Sequence, residues 1–157
     1  MRLCEQHKIV PVLEAEDHNA GVSCDSVNME NYNHITLIFV FGELTGDAVL
    51  TVASGATDGT ATTAETFSYR ATAADLKGAA GDTLGTEATS AALTLTAATY
   101  EDRMVVVEMD ADQFTDGQPF ITAALSSAAS ELFASCIAIL SEPRYAQSVP
   151  PTAIPTA

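Results

Sequence analysis

Three histidines are the residues of this chain best suited to acid–base chemistry, and His7, His18 and His34 all lie near its start. A histidine activates a serine or cysteine nucleophile when an acidic residue orients it, and such groups meet in space rather than in sequence. No G-x-S-x-G motif, which would place a nucleophilic serine on a sharp turn, is present. His34 opens the most apolar run of the chain and is interpreted as a strand-edge residue. We therefore predict no catalytic residue and a chain that is not an enzyme.

Three aspartates, Asp110, Asp112 and Asp116, lie close together before Gly117 and are the best candidates for a cation site. Hard cations such as Ca²⁺ are bound by several carboxylate oxygens held close together. The spacing departs from the EF-hand pattern, because Phe114 stands at a ligand position and the glycine is misplaced. No C-x-x-C or H-E-x-x-H motif exists. We interpret the aspartates as a solvated turn, with Asp112 near a helix start, and predict no metal and no cofactor.

The three cysteines, Cys4, Cys24 and Cys136, do not form the pattern of a disulfide framework, because their number is odd and low. Cys24 and Cys136 lie among apolar residues and are predicted to be small core residues. Cys4 lies near the free end and is predicted to be a loose thiol.

The charge of the chain is strongly acidic, with 21 Asp and Glu against 6 Lys and Arg and a formal net charge of −15. Phosphate binding depends on Lys and Arg, so this field predicts no direct contact with nucleic acid or anionic membranes. The charge serves solubility or, alternatively, forms an acidic face for a basic partner or cations; the first reading is favoured. No apolar run reaches the roughly 18 residues of a membrane span, and the N-terminus lacks a signal peptide's apolar region, so we expect synthesis in the cytoplasm.

Short β-type runs, separated by turns rich in Gly, Asp, Thr and Ser, fill the chain from Ile9 to Leu140. Residues 35–41 are almost entirely apolar, which predicts a strand covered on both faces. Residues 48–53 follow after a short loop, and the pair is interpreted as a hairpin. Residues 62–70 alternate, with Phe67 and Tyr69 on one face.

Later segments add further strands at 91–97, 104–109, 120–125 and 132–140. The last of these has the Ala and Leu content of a helix, but the Ser-rich turn before it and Pro143 after it favour a strand. Short helical turns are predicted at 72–77 and 110–114. About eight short strands with little helix predict an all-β fold, either a β-sandwich or a jelly-roll-like barrel.

The two ends of the chain differ from this pattern, which suggests an N-terminal arm at residues 1–20, a β-sandwich domain at 21–142 and an extended tail at 143–157. Pro11 confines the apolar run at 9–13 to an edge strand or an extended arm. The prolines of the tail favour an extended segment, either draped over a neighbouring subunit or frayed. The residues predicted to bind a partner are Ile9, Val10, Val12, Leu13, Tyr145, Val149, Pro150 and Pro151.

Carbohydrate binding is the alternative function, because sugar sites commonly combine exposed aromatic rings with carboxylates. The candidates are Tyr32, Tyr69, Tyr100 and Tyr145, since the chain has no Trp. Tyrosines at strand positions are more often core or interface residues. An adhesin-like module in a head or tail fibre is therefore kept as the second hypothesis.

Five segments, residues 31–37, 46–52, 54–59, 90–100 and 141–145, resemble small structural proteins encoded in tailed-bacteriophage and prophage genomes, and the resemblance covers about residues 21–151. Within that class it implies a capsid decoration, or cement, protein: a β-rich protein that binds the outside of the head and clamps adjacent capsomers. It further implies the major capsid protein as partner, a homo-oligomer with a trimer favoured, a place on the outer head surface, and no catalytic residues.

Overall fold

Two antiparallel sheets face each other in a computed structural model that describes residues 2–145 and 152–154. The strands in chain order are β1 (Lys8–Asp17), β2 (Val22–Ser23), β3 (Val27–Asn28), β4 (Tyr32–Leu44), β5 (Ala48–Gly55), β6 (Thr63–Ala64), β7 (Phe67–Ala71), β8 (Ala88–Ser90), β9 (Ala92–Leu95), β10 (Met104–Asp110), β11 (Phe120–Leu125) and β12 (Leu132–Pro143). Three short helices accompany them, namely α1 (Leu3–Gln6), α2 (Ala97–Tyr100) and a 3₁₀-helix (Ala111–Gln113).

The first sheet has the strand order β1-β12-β4-β10-β7-β8, and the second has the order β2-β11-β5-β6, with β3 paired to β11 and β9 to β5. Both orders are open at their ends, so the architecture is a sandwich and not a closed barrel. The predicted all-β fold is therefore confirmed in its sandwich form. Among the described residues, no helix has the length and apolar character needed to span a membrane.

The core lies between the sheets and follows from the alternation of side chains along each strand. In β4, Phe39 and Phe41 point inward, are fully buried, and stack with ring centroids 5.9 Å apart. Leu50 and Val52 of β5 bury their side chains on the same core from the second sheet. The alternation of side chains along these strands thus selects the ones that join the two layers.

The predicted hairpin between residues 35–41 and 48–53 is wrong, because β4 lies in the first sheet and β5 in the second. The segment 45–47 crosses between the layers instead of turning back. Gly46 permits the crossing, since a Cβ there would lie 2.0 Å from the carbonyl oxygen of Ala128. A close backbone contact, which only glycine can fill, therefore replaces the expected turn.

The predicted helical turn at residues 72–77 is also wrong, whereas the one at 110–114 is confirmed by the 3₁₀-helix Ala111–Gln113. Thr72 forms a β-bridge with Leu84, and its hydroxyl oxygen accepts a hydrogen bond from the backbone N–H of Met104 at 3.2 Å. The side chain of Thr72, at the start of the predicted turn, therefore holds an extended segment against the first sheet.

The N-terminal segment is an edge strand over Lys8–Asp17, which is one of the two alternatives left by Pro11. It pairs with β12, and register shifts at Val12 and again before Glu16 mark bulges. Because of the first bulge, Val12 and Leu13 are both buried although they are neighbours. The segment is therefore built into the sandwich and does not extend away from it as an arm.

The C-terminal segment starts with β12, so the prediction of a strand rather than a helix at residues 132–140 is confirmed. Pro143 ends that strand, and Tyr145 is 65% exposed. Farther on, Ala153 is buried, and its carbonyl oxygen accepts a hydrogen bond from Asn28 N–H at 2.8 Å. At Ala153 the predicted tail therefore contacts its own domain.

Candidate docking surface

The outer face of the first sheet carries apolar side chains that no other part of the described chain covers. Strand β4 is apolar on both faces: Leu37 and Phe39 point into the core, whereas Ile38 and Val40 point away from it. Val40 is 38% exposed. The prediction that residues 35–41 are covered on both faces is thus wrong within this chain.

Strand register brings the outward side chains of four strands into contact. Ile38 lies between Ile137 of β12 and Val106 of β10, while Pro11 of β1 lies on the far side of Ile137. Directly opposed side chains have Cβ atoms about 5 Å apart, so the rows form one continuous surface. We call it the apolar face, and it consists of Ile9, Pro11, Ile38, Val40, Met104, Val106, Phe133, Ile137 and Ile139.

Exposure of these side chains is high for their size. Ile137 is 45% exposed, Phe133 44% and Ile9 38%. Isolated exposed apolar residues are normal, but contiguous patches of several hundred Å² mark interaction sites on proteins that fold as monomers. The apolar face is therefore the candidate functional site, and its chemistry is the burial of apolar surface against another molecule.

One end of the apolar face is acidic, around Glu43. Leu44 pairs with Leu132 and Phe41 pairs with Ala134, so β4 has one more residue than β12 between these two pairs. The extra residue forms a bulge, which places Glu43 on the exposed side of the sheet. The negative charge of Glu131 raises the pKa of Glu43. Desolvation and a hydrogen bond with Glu131 raise this pKa further, and so do the negative charges of Glu101 and Asp102.

The opposite end of the apolar face is acidic as well, around His34. The Nδ1 atom of His34 lies 2.6 Å from a carboxylate oxygen of Asp110, and its Nε2 atom lies 3.7 Å from Glu108. The hydroxyl oxygen of Thr36 is 3.3 Å from Nε2. His34 is thus a strand residue that bridges two carboxylates at the border of the apolar face.

The other two histidines lie away from this border. His18 is buried, and its Nε2 atom lies 2.9 Å from the backbone carbonyl oxygen of Glu14. His7 ends helix α1, where its backbone N–H donates to the carbonyl oxygen of Leu3. The structure therefore does not bring the three histidines together.

The three aspartates of the predicted turn have separate roles. The side chain of Asp110 accepts a hydrogen bond from the backbone N–H of Gln113, and the side-chain oxygen of Gln113 accepts one from the backbone N–H of Asp110 at 2.9 Å, which is a capping box. Asp110 and Asp112 line a hollow of about 420 Å³, whereas Asp116 lines another of about 400 Å³. Within residues 2–145 and 152–154, no group of three or more His, Cys, Asp or Glu could hold a metal ion.

A buried carboxylate that the sequence analysis missed lies where the chain passes from the second sheet to the first. Glu65, 7% exposed, stands between β6 and β7. The hydroxyl of Ser54 donates to it at 2.5 Å and the backbone N–H of Thr115 at 3.0 Å, while Gln118 lies 2.8 Å from the same hydroxyl. These bonds fix the crossing; the one sequence signal was an acid within the alternating run 62–70.

The residues predicted to bind a partner fall into three groups. Ile9 belongs to the apolar face and Tyr145 is exposed, so both are accessible. Val10, Val12 and Leu13 are buried because β1 is a strand of the sandwich, so their side chains serve the core and not a partner. The remaining three lie outside the described residues: Val149, Pro150 and Pro151.

Two further predictions concern cysteines and tyrosines. Cys24 and Cys136 are buried as predicted; burial raises the pKa of the Cys136 thiol, and a hydrogen bond with Cys24 adds to the rise. Tyr32 and Tyr100 are buried as well. Burial is the main cause that raises the pKa of Tyr100, and the neighbouring Tyr69 adds to the rise. Two of the four candidate sugar-binding rings are therefore core residues.

Comparisons with known proteins give no family. No protein-family model matches the chain, and no curated protein matches it. Among solved structures, it is similar to the SPBc2 prophage-derived protein YomS, at 10% identity over 85% of this chain and 94% of that chain, with a TM-score of 0.49. A weaker likeness is to Clostridium thermocellum xylanase 10B (CBM22-1–GH10 modules), at 8% identity over 92% of this chain and 30% of that chain, with a TM-score of 0.26. Another is to infectious bursal disease virus strain Gt, at 16% identity over 85% of this chain and 36% of that chain, with a TM-score of 0.21.

Proposed function

We propose that this chain is a non-enzymatic structural protein of a tailed-phage particle, and specifically a decoration protein that binds the outside of the head and stabilises contacts between capsomers. The observation that carries the proposal is the apolar face, because a sheet face of this composition favours a covered state over contact with water. The resemblance of residues 31–37, 46–52 and 54–59 to phage structural proteins supports the location.

The physical basis of such a role is linkage between binding and shell stability. Each Å² of apolar surface removed from water contributes about 25 cal/mol, so an apolar sheet face pressed on two neighbouring shell subunits favours the state in which they stay together. A net charge of −15 suits the outer surface of the head better than the interior, where the packaged DNA is also negative.

The same role includes association between copies, and a trimer around a symmetry axis is the form we propose. Sedimentation velocity of the purified chain tests it directly. A single species of three times the chain mass of 16.4 kDa is expected, and a monomer at all concentrations would contradict this part of the proposal.

The decisive experiment mixes the purified chain with expanded capsids of the phage that encodes it and separates bound from free protein by sedimentation. Binding at a fixed number of copies per capsid is expected, together with greater resistance of the decorated heads to heat. Unexpanded capsids and capsids of an unrelated phage serve as controls. If the chain stays in the supernatant with expanded capsids, the proposal is lost.

The alternative of a carbohydrate-binding or adhesin module finds less support in the structure. Sugar recognition through aromatic stacking needs accessible rings, and Tyr32 and Tyr100 are buried whereas Tyr145 is exposed. No observation favours this function over the first, so it is not proposed.

A further inference from the structure

We propose that the apolar face docks a protein of opposite charge and not a second copy of this chain: a surface with an apolar centre and Lys or Arg side chains at two ends about 30 Å apart. The inference rests on the proposed function, because the shell is the partner in question. It adds which face binds, which partner chemistry fits, and which pairing is disfavoured.

The centre of the apolar face lacks charge. The row through Ile38 runs from Pro11 through Ile137 to Val106, and the neighbouring row pairs Val40 with Met104. In a chain with 21 acidic residues, a face this wide without a carboxylate has the composition of an interface core, where charged residues are depleted.

Both ends of the face are acidic. Glu43 and Glu131 lie at one end, where the charge of Glu131 raises the pKa of Glu43. Glu108 and Asp110 lie at the other end, on either side of His34. From residue 34 to residue 43, β4 advances nine residues, which is about 30 Å for an extended strand.

Aligned self-pairing is disfavoured. A two-fold axis that runs along or across the strands brings each acidic end onto either the same end or the opposite end of the second copy. Both arrangements set carboxylates against carboxylates at the rim, and like charges placed across an interface disfavour that pairing. The geometry therefore favours a partner with basic ends.

The cation beside the face does not change this balance. Arg70 of β7 continues the row of Val106, but its guanidinium donates to Glu87 at 3.0 Å and to the carbonyl oxygen of Gly85 at 3.1 Å. Its charge is therefore already matched within the chain.

The first test changes the centre of the face. Ile137→Asp should weaken binding to expanded capsids by at least about tenfold, because a carboxylate enters the desolvated centre of the interface. Leu3→Asp is the matched control, since Leu3 is 44% exposed and lies in helix α1, outside the face. Both residues are half-exposed, so both variants are expected to fold, and circular dichroism checks this.

The second test replaces one glutamate by lysine at each acidic end of the face. Glu43→Lys with Glu108→Lys should weaken capsid binding and remove its dependence on salt, because attraction between opposite charges is lost. Asp58→Lys with Asp82→Lys changes the net charge equally at exposed loop positions and should bind as the unchanged chain does.

The third test uses a probe that needs no capsid. A synthetic peptide of four Ile-Thr repeats with two lysines at each end is titrated into the labelled chain and followed by NMR. It should shift the amide signals of Ile38, Val40 and Ile137, whereas the same peptide with glutamates at both ends should not.

The outcomes separate the two proposals. If expanded capsids bind neither the unchanged chain nor any variant while the lysine peptide still selects the apolar face, the decoration role falls and the docking surface stands. If capsids bind Ile137→Asp as well as Leu3→Asp, or both peptides act alike, the docking surface falls. A loss of oligomer mass on Ile137→Asp would assign the face to copies of this chain and overturn the inference.

Discussion

The two outer faces of the sandwich are made from the same kind of strand and differ in what their side chains prefer to contact. The first sheet presents Ile, Val, Met and Phe, whereas most outward positions of the second sheet are small or hydroxyl-bearing, as at Thr51, Ala53, Ala92, Thr94 and Ala124, and Val49 and Phe120 are the apolar exceptions. Thr and Ile both favour strands because both branch at Cβ. Strand formation is thus satisfied on both faces, and the choice between hydroxyl and methyl decides which face is suited to water.

The largest effect that sharpens the comparison lies within the first sheet, between its two faces. Phe39→Ala, in the core, should destabilise the chain by about 3–5 kcal/mol, because it leaves a cavity beside the stacked ring of Phe41. Phe133→Ala, on the outer face, should cost about 1 kcal/mol or less, because its ring is already 44% exposed. Urea unfolding of both variants measures the difference.

Equal costs would mean that the outer ring is held as firmly as the inner one, and that the apolar face is part of the fold and not a surface for a partner. The matched pair also controls for composition, since each variant removes one phenyl ring from the same sheet.

A smaller effect is expected where the second sheet departs from its own pattern. Thr122 points outward but is buried, and its hydroxyl lies 2.7 Å from that of Ser26. Thr122→Val should destabilise by about 1–2 kcal/mol, because the Ser26 hydroxyl loses a buried hydrogen-bond partner. Thr94→Val, at an exposed position of β9, should change stability by less than about 0.5 kcal/mol. Thermal unfolding distinguishes the two, and an equal response would show that the Ser26 contact contributes nothing.

Exchange of the two surface types should change stability less and change adhesion more. Ile38→Thr with Ile137→Thr replaces an opposed pair on β4 and β12, and it should lower retention on a hydrophobic column and binding of a hydrophobic dye. Ala92→Ile with Thr94→Ile should raise both, because it creates on the second sheet the surface that the first sheet already has. Unchanged retention in the first variant would show that these side chains are not accessible.

Much of this contrast was within reach of the sequence, and the rest was not. Alternation located β10, β11 and β12, and the turn chemistry before residue 132 correctly favoured a strand. The sequence pattern did not reveal that β4 and β5 belong to different layers, because a connection of three residues can either form a hairpin turn or cross to the other sheet. The contact that accompanies the crossing joins Gly46 and Ala128, which are far apart in sequence. In residues 35–41 both faces are apolar, so periodicity alone could not say which one is uncovered.

The acidic ends gave no sequence signal either. Glu43 and Glu131 are brought together by the bulge opposite Phe133, and Asp110 reaches His34 through the pairing of β10 with β4. Net charge was readable from composition, but its placement around an apolar centre depends on register, which composition does not contain. The same limit explains why the buried Glu65 was missed.

The smallest effect concerns one acidic end in the free chain. Because Glu131 raises the pKa of Glu43, the folded state holds the Glu43 proton more tightly than the unfolded state, whose carboxyl titrates near 4.5. Stability is therefore lost as the pH rises from that value through the raised one. Glu43→Gln should increase Tm slightly at pH 7 and leave it unchanged well below pH 4.5, and salt should reduce the difference, since the repulsion is exposed to solvent. Asp58→Asn, in an exposed loop, is the control for net charge. An equal gain in Tm from both variants would show that the repulsion is spread over the whole chain. The carboxylates at this end of the apolar face would then have no local repulsion for a basic partner to relieve.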